Sequence, residues 1–290
     1  MRVLVTGGSG FLGARVVAAL ADRGDRVISL QRHRTTRRPG VTTIEVDLAT
    51  LAAGQLPGHL DAIVHLAARL DDPFGVDRTL AELADTNVVG TLRLLEAAAS
   101  VGIRRFVHGS TGGVGSNPPA GGRMHEDDPP GPVNPYGLTK HLAEQAVRAY
   151  AWPFERVSLR YFAPYGQDAS NPLFRHLVEC LERGEPIDVA RGGGSELNPI
   201  HATDAVRATV AAVSAPDLPP VVNLAGPDVA SVSTIARLIG EAIGRSPVLR
   251  EGTEPAPSWV ADIELMRRHL GGPTIGLSAG IAAAFGRPRG

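Results

Sequence analysis

Val3-Leu4-Val5 is a short, continuously apolar run rich in β-branched residues, the pattern of a strand buried on both faces. It gives way to a glycine-rich turn and then to an Ala-rich amphipathic stretch from Ala14 to about Arg23. The same alternation continues along the chain. Gly24-Asp25 marks a turn, and strands are predicted over Arg26–Leu30, Ile44–Val46, Ala62–Leu66 and Arg105–His108, with a long helix from about Leu80 to Ser100. Residues 112–135, rich in Gly and Pro, read as a surface loop ahead of a helix over Tyr136–Tyr150, and Val157–Tyr161 as a sixth strand. Beyond that the alternation is less regular, with helices near Leu173–Arg183, Thr203–Val213, Val232–Gly244 and Asp262–Leu270 and a strand at Val221–Leu224. Strands alternating with helices predict an α/β fold with a doubly wound parallel sheet.

Composition narrows the class of protein. With 290 residues the chain is long for a single core, so a large α/β domain with an added part is expected. A net charge of −1 argues against a nucleic-acid binder or a polybasic membrane surface. One cysteine, Cys180, excludes an internal disulfide and a cysteine-rich metal site, and it reads as a small buried hydrophobe. No HxxxH or paired-carboxylate context surrounds the histidines, so no metal is expected. The absence of a membrane-length apolar run and of a signal-peptide pattern makes a cytoplasmic location the expectation.

The turn after the first strand carries chemistry. Gly7-x-x-Gly10-x-x-Gly13 lies where a strand passes into a helix. Gly7 suits a tight turn, Gly10 admits a pyrophosphate close to the backbone, and Gly13 permits close helix–strand packing. The helix N-terminus then offers free N–H groups to phosphate. At the end of the second strand, where a carboxylate would bind the ribose hydroxyls of NAD, the chain has Leu30-Gln31-Arg32-His33-Arg34. The lack of a carboxylate and the two arginines, Arg32 and Arg34, therefore favour NADP, contacted from Gln31 and Arg32, with NAD as the other cofactor to consider. Asp47-Leu48, after the third strand, is placed to contact adenine.

A second cluster lies far along the chain. Of the 29 lysines and arginines, Lys140 alone is a lysine, and it follows Tyr136 by four residues. On a helix such a pair shares a face. A neighbouring cation favours phenolate, which makes Tyr136 a candidate acid/base. Lysine can also relay a proton, which arginine cannot.

These residues resemble the extended short-chain dehydrogenase/reductases, the NAD(P)-dependent epimerase/dehydratase group. The likeness runs from Val3 to about Ala225 through Thr6–Gly13, Asp47-Leu48, His65-Leu66-Ala67-Ala68, Asn87-Val88-Val89-Gly90-Thr91, Tyr136-x-x-x-Lys140, Leu159-Arg160-Tyr161-Phe162, Ile200-His201-x-x-Asp204 and Asn223-Leu224. The resemblance implies a Rossmann-type dinucleotide-binding domain over 1–163 and 201–225, with a smaller, discontinuous substrate-binding part over 164–200 and 226–290. It implies that Gly7, Gly10, Phe11 and Leu12 follow the pyrophosphate, that Leu66, Ala67 and Ala68 line the adenosine side, and that Tyr161 and Phe162 also belong to the cofactor site. Tyr136 would exchange a proton with the substrate oxygen, Lys140 would bind the nicotinamide ribose, and Thr111 would hydrogen-bond the reacting oxygen, with Ser110 as the alternative. It also implies a homodimer through the helices near 80–100 and 136–150.

Departures from the family pattern shape the expected reaction. Gly112-Gly113 replaces the Asp-Glu pair that dehydratases carry after the catalytic Ser/Thr, and no cysteine stands in that segment. Ala163 and Leu197 replace an Asn and an Arg that nucleotide-sugar enzymes use for substrate, although Arg191 or Arg175 can compensate. His201 is expected to stabilise a loop. The reading is therefore hydride transfer between a nicotinamide and a ketone or secondary alcohol of a small polar substrate. A nucleotide-sugar 4-epimerase is the alternative, and a non-catalytic dinucleotide sensor the third reading.

Overall fold

The computed structural model describes residues 1–32, 39–70, 79–118, 121–150, 153–168 and 171–286. Two compact units emerge. The first comprises Met1–Val114, Pro132–Arg160 and Val206–Val222, and the second Gly115–Gly131, Tyr161–Ala205 and Asn223–Gly290.

The chain opens with β1 (Arg2–Thr6), α1 (Phe11–Asp22), β2 (Arg26–Gln31), β3 (Val41–Glu45) and β4 (Ala62–His65). Then come α2 (Leu80–Ala84), α3 (Gly90–Val101), β5 (Arg105–Thr111), α4 (Pro135–Ala149) and β6 (Glu155–Tyr161). After α5 (Pro172–Arg183), β7 (Pro186–Arg191), β8 (Glu196–Leu197) and α6 (Ala202–Ala212), β9 (Val221–Leu224) completes a seven-stranded sheet of order β3-β2-β1-β4-β5-β6-β9. The ladders β1–β2, β1–β4, β2–β3 and β4–β5 are parallel. This is the doubly wound, Rossmann-type sheet the alternation predicts.

The order has a functional consequence. From β1 the chain works outward to β2 and β3, then crosses back to place β4 on the other side of β1. In open α/β sheets, ligands bind at such a reversal, beyond the carboxyl ends of the strands. Here that end is Thr6 and His65, paired across the β1–β4 ladder. Val3, Leu4, Val5, Ile63 and Val64 are fully buried, as strands covered on both faces must be.

Local differences from the sequence reading have physical causes. The third strand begins at Val41, ahead of the predicted Ile44, because none of the residues of this edge strand is fully buried and Thr42-Thr43 does not register as an apolar run. The single helix expected near 80–100 is interrupted by a π-helical turn over Asp85–Val89. Its start is fixed by a capping box between Thr79 and Glu82. The segment 112–135 is not simply a surface loop: Met124 is buried, its N–H donates to Val260 O, and its carbonyl accepts from Asn223 Nδ2.

The second unit has its own core, where Phe174, Leu177, Ile187, Ile235, Ile239 and Ile281 pack together. After β10 (Ala230–Ser231) come α7 (Val232–Ile243), β11 (Val248–Pro255), α8 (Glu264–Leu270) and α9 (Leu277–Phe285). β7 pairs in parallel with β11, and β8 pairs antiparallel with β10. Asp204, at the start of α6, is buried and accepts from Thr274 N, Thr274 Oγ1 and Ile275 N, pinning the segment before α9. His201 accepts from Thr203 N and packs edge-on against Tyr165, a loop-holding contact. Cys180 is buried beside His176, as a small core residue.

Candidate active site

The glycine turn is sterically determined. Gly7 has φ +69°, and a Cβ there would lie 2.7 Å from Ala67 N. A Cβ on Gly13 would sit 2.0 Å from Gly7 O, so that glycine lets α1 close onto the turn. Gly10 differs, because its Cβ would meet only Gly7 O, at 3.2 Å. It is also the N-cap of α1 and carries no side-chain cap, so the first-turn N–H groups remain available to an anion. A pyrophosphate fits these features chemically.

Around the turn, Phe11 and Leu12 are half-buried, and the Arg15 guanidinium lies 4.5 Å from the Phe11 ring centroid. Gln31 is buried and accepts from Ser29 Oγ, while Arg32 is exposed; His33 and Arg34 lie outside the described residues. Asp47 accepts from Ala49 N and so caps the 3-10 turn Leu48–Thr50. Leu48 is a core residue packed under Gly90, where a Cβ would lie 3.0 Å from the leucine Cβ. Leu66, Ala67 and Ala68, half-buried, continue from β4, and Ala67 N donates to Thr6 Oγ1.

A buried polar chain runs from this turn to α4, and its proton directions can be assigned. Thr91 Oγ1 donates to Asn87 O, so toward His65 Nε2, 2.9 Å away, it must accept. The His65 proton therefore sits on Nε2. Nδ1 is left to accept from Thr6 Oγ1 at 2.7 Å, and Thr6 Oγ1 in turn accepts from Ala67 N. Burial depresses the His65 pKa to about 3, with the Lys140 charge adding to it, and the ring is neutral as this pattern requires. Farther along, Asn87 Nδ2 donates to Thr139 Oγ1, which donates to Tyr136 O. Asn87 also brackets the Arg69 backbone, accepting from its N–H and donating to its carbonyl. Asn87 sits in the π-helical turn, a distortion that often marks functional positions.

α4 is positioned by contacts that the sequence specifies. Asn134 caps it by accepting from Gly137 N, and Pro135 occupies the first turn, where its missing N–H costs nothing. A Cβ on Gly137 would lie 2.3 Å from Gly113 O, so the glycine between Tyr136 and Lys140 is what lets the helix seat against the turn after β5. Thr111 ends β5 half-buried and accepts from Gly113 N through Oγ1, which leaves its own O–H free to donate. Ser110 is buried and its hydroxyl has no partner among the described residues. One turn beyond Lys140, Glu144 makes a buried bidentate pair with Arg160 on β6, at 3.0 and 2.9 Å.

Lys140 is buried, and its Nζ lies 3.1 Å from His108 Nε2. Desolvation lowers its pKa to about 8, although the Glu144 carboxylate pulls upward. Burial pushes the half-buried Tyr136 phenol above its ordinary value, opposite to the depression expected from the lysine. Desolvation by the fold therefore works against a phenolate.

Residues 3–225 match the NAD dependent epimerase/dehydratase family. The chain belongs to that family. Among curated relatives, a UDP-glucose 4-epimerase from Erwinia amylovora is 32% identical over 193 residues, 60% of this chain and 56% of the relative, so the match spans just over half that protein's length. Among solved structures, MoeE5 in complex with UDP-glucuronic acid and NAD superposes with a TM-score of 0.85 at 29% identity, covering 98% of both chains. The UDP-glucuronic acid 4-epimerase of Bacillus cereus, in complex with NAD, gives 0.84 at 26% identity over 98% of this chain and 96% of its own.

Thr111, Tyr136, Lys140 and the glycine turn all fall in the first unit, whereas Tyr161, Phe162, Ala163 and Leu197 fall in the second. Tyr161 and Phe162 are buried there. Ala163 has φ +40°, a left-handed conformation that asparagine tolerates better than alanine. Leu197 is half-buried in β8. Sequence reasoning gave no role to Asn87, His65, His108 or the Glu144–Arg160 pair. The available signal was a polar residue inside an apolar strand, as in Ile63-Val64-His65 and Phe106-Val107-His108.

Proposed function

We propose that this protein is a nucleotide-sugar 4-epimerase that retains its nicotinamide dinucleotide through the catalytic cycle. The support is the coexistence, on one unit, of the uncapped glycine turn and the Thr111/Tyr136/Lys140 group, together with solved relatives whose bound molecules are NAD and UDP-sugars. Bound dinucleotide supplies a hydride acceptor and donor at the nicotinamide. Tyr136 takes the proton of the sugar 4-hydroxyl as that carbon is oxidised and returns a proton to the same oxygen after the keto sugar has turned over. Thr111 donates a hydrogen bond to that oxygen in both directions, and the Lys140 charge favours the phenolate that begins the cycle and is restored at its end. Gly112-Gly113 offers no acid or base for dehydration.

Incubation with UDP-glucose or UDP-glucuronic acid tests the proposal. The 4-epimer should appear by NMR with no net change in nicotinamide absorbance. Stoichiometric reduction of added cofactor with a keto product would instead establish a net oxidoreductase, the reading preferred from sequence alone.

The cofactor is a nicotinamide dinucleotide, and we propose that Arg32 lets this chain accept NADP as well as NAD. It is exposed just after β2, whose last residue is Gln31 and not a carboxylate. Arg32→Asp is expected to weaken NADP binding by about tenfold or more, roughly 1.4 kcal/mol, and to spare or tighten NAD. Equal effects on both cofactors in a fluorescence titration would remove Arg32 from that role. We also propose a homodimer through the α2–α3 and α4 faces, where Leu80, Val89, Leu92 and Leu142 are exposed. Light scattering at the monomer mass would exclude it.

A further inference from the structure

We propose that His108 is a positioning residue for Lys140: its ring, anchored by Ser158, accepts a hydrogen bond from Lys140 Nζ and holds that cation beside Tyr136. The inference deepens the epimerase reading and rests on it for its catalytic meaning, but the geometry is independent. His108 is fully buried in β5, three residues before Thr111, with Nε2 3.1 Å from Lys140 Nζ and Nδ1 3.1 Å from Ser158 Oγ on β6. An ammonium has donors only, so Nε2 must accept, and the ring proton is then on Nδ1, donating to Ser158. Burial and the Lys140 charge hold the imidazole well below its normal pKa, so the ring stays neutral and its lone pair remains available.

The bond answers a specific difficulty. A buried ammonium is destabilised by lost hydration, and each acceptor aimed at it restores part of what water gave. Among the described residues, the titratable groups acting on Lys140 are Glu144 on its own helix, His108 on β5 and His65 on β4; Tyr136 lies one turn earlier on the same helix, and Arg160 on β6 is paired with Glu144. The α2–α3 stretch presents neutral Thr86 and Asn87 as buried groups, while Glu82 and Asp85 are exposed. Glu144 acts on the lysine through charge, and His108 is the group bonded to its nitrogen. Removing the acceptor disfavours the charged form and lowers the lysine pKa. Above that pKa, the phenolate loses its counter-charge.

Because Lys140 is the only lysine in the sequence, the test is direct. Protein labelled with 13Cε-lysine gives one side-chain resonance, whose chemical shift reports the Lys140 titration without substrate. The unsubstituted protein should titrate near 8, the value to which burial brings this lysine. His108→Phe is expected to lower the midpoint by about one pH unit, whereas His108→Gln, whose amide oxygen can accept, should hold it within a few tenths. Leu replaces Phe as the non-accepting member of the pair should the larger ring prevent folding. In the epimerase assay the alkaline limb should move with the midpoint in the Phe or Leu variant and stay in place for Gln; a merely structural defect would lower the rate equally at all pH. An unchanged midpoint in the non-accepting variant, or equal shifts in Gln and Phe, overturns the proposal. Failure of the chain to turn over any UDP-sugar would instead sink the functional reading and leave the titration interpretable.

Discussion

Tyr136→Phe is expected to lower kcat by about 10²–10⁴-fold, the range of general acid/base contributions, while dinucleotide still binds. The substitution removes one hydroxyl and keeps the ring. The contact made by the tyrosine backbone, Tyr136 O accepting from Thr139 Oγ1, survives it. So do the Gly137–Gly113 seating and the glycine turn. The pH dependence carries the same assignment. Burial raises the phenol, so activity that depends on phenolate should climb as pH rises. Lys140 titrates near 8, so the counter-charge that makes phenolate accessible fades above that point. A rate maximum on the alkaline side of neutrality follows, and Tyr136→Phe should abolish it. Cofactor titration by fluorescence and steady-state rates with UDP-glucose separate binding from chemistry. Full activity in Tyr136→Phe would leave the phenol without a catalytic role.

Much of this was readable in the sequence because the signals are local. Gly13 answers to a short-range demand, since a Cβ there would sit 2.0 Å from Gly7 O, and Gly7 turns the chain with φ +69°; a strand before and a helix after give both their context. The Tyr136–Lys140 offset needed only helical periodicity. What stayed hidden depends on partners distant in the chain. His108 meets Lys140 across 32 residues, and Glu144 meets Arg160 across 16, pairings that no periodicity encodes. The opposite sign of the Tyr136 shift has the same origin: spacing shows that a cation is near, while desolvation is set by the surrounding fold. In the second unit β11 escaped notice because Arg250, Glu251 and Glu254 leave almost no apolar face, and α9 because Gly280 interrupts a run that must pack within reach of the Tyr165 hydroxyl. The preference for a net oxidoreductase came from Ala163 and Leu197. At Ala163 the backbone is left-handed, a conformation that the spacing of the chain does not reveal.

Arg160→Leu is expected to destabilise the first unit by about 3–5 kcal/mol, because it strands the Glu144 carboxylate in a site where both partners are nearly inaccessible. The converse experiment gives the opposite result. Replacing both residues, as Glu144→Leu with Arg160→Leu, removes the stranded charge and should recover most of the lost stability, since apolar replacement of a buried pair is often neutral or favourable. Activity will not follow stability. Glu144 raises the Lys140 pKa from one turn away, so the double variant should carry a lysine that titrates below the ordinary site value of about 8. The single variant keeps the carboxylate and should not show that fall. Thermal unfolding and the single-lysine resonance, measured on both variants, therefore separate two roles of one ion pair. A double variant that melts as early as Arg160→Leu would mean the pair holds α4 to β6 through its hydrogen bonds. A double variant whose lysine midpoint is unmoved would mean that Glu144 plays no part in keeping the cation charged.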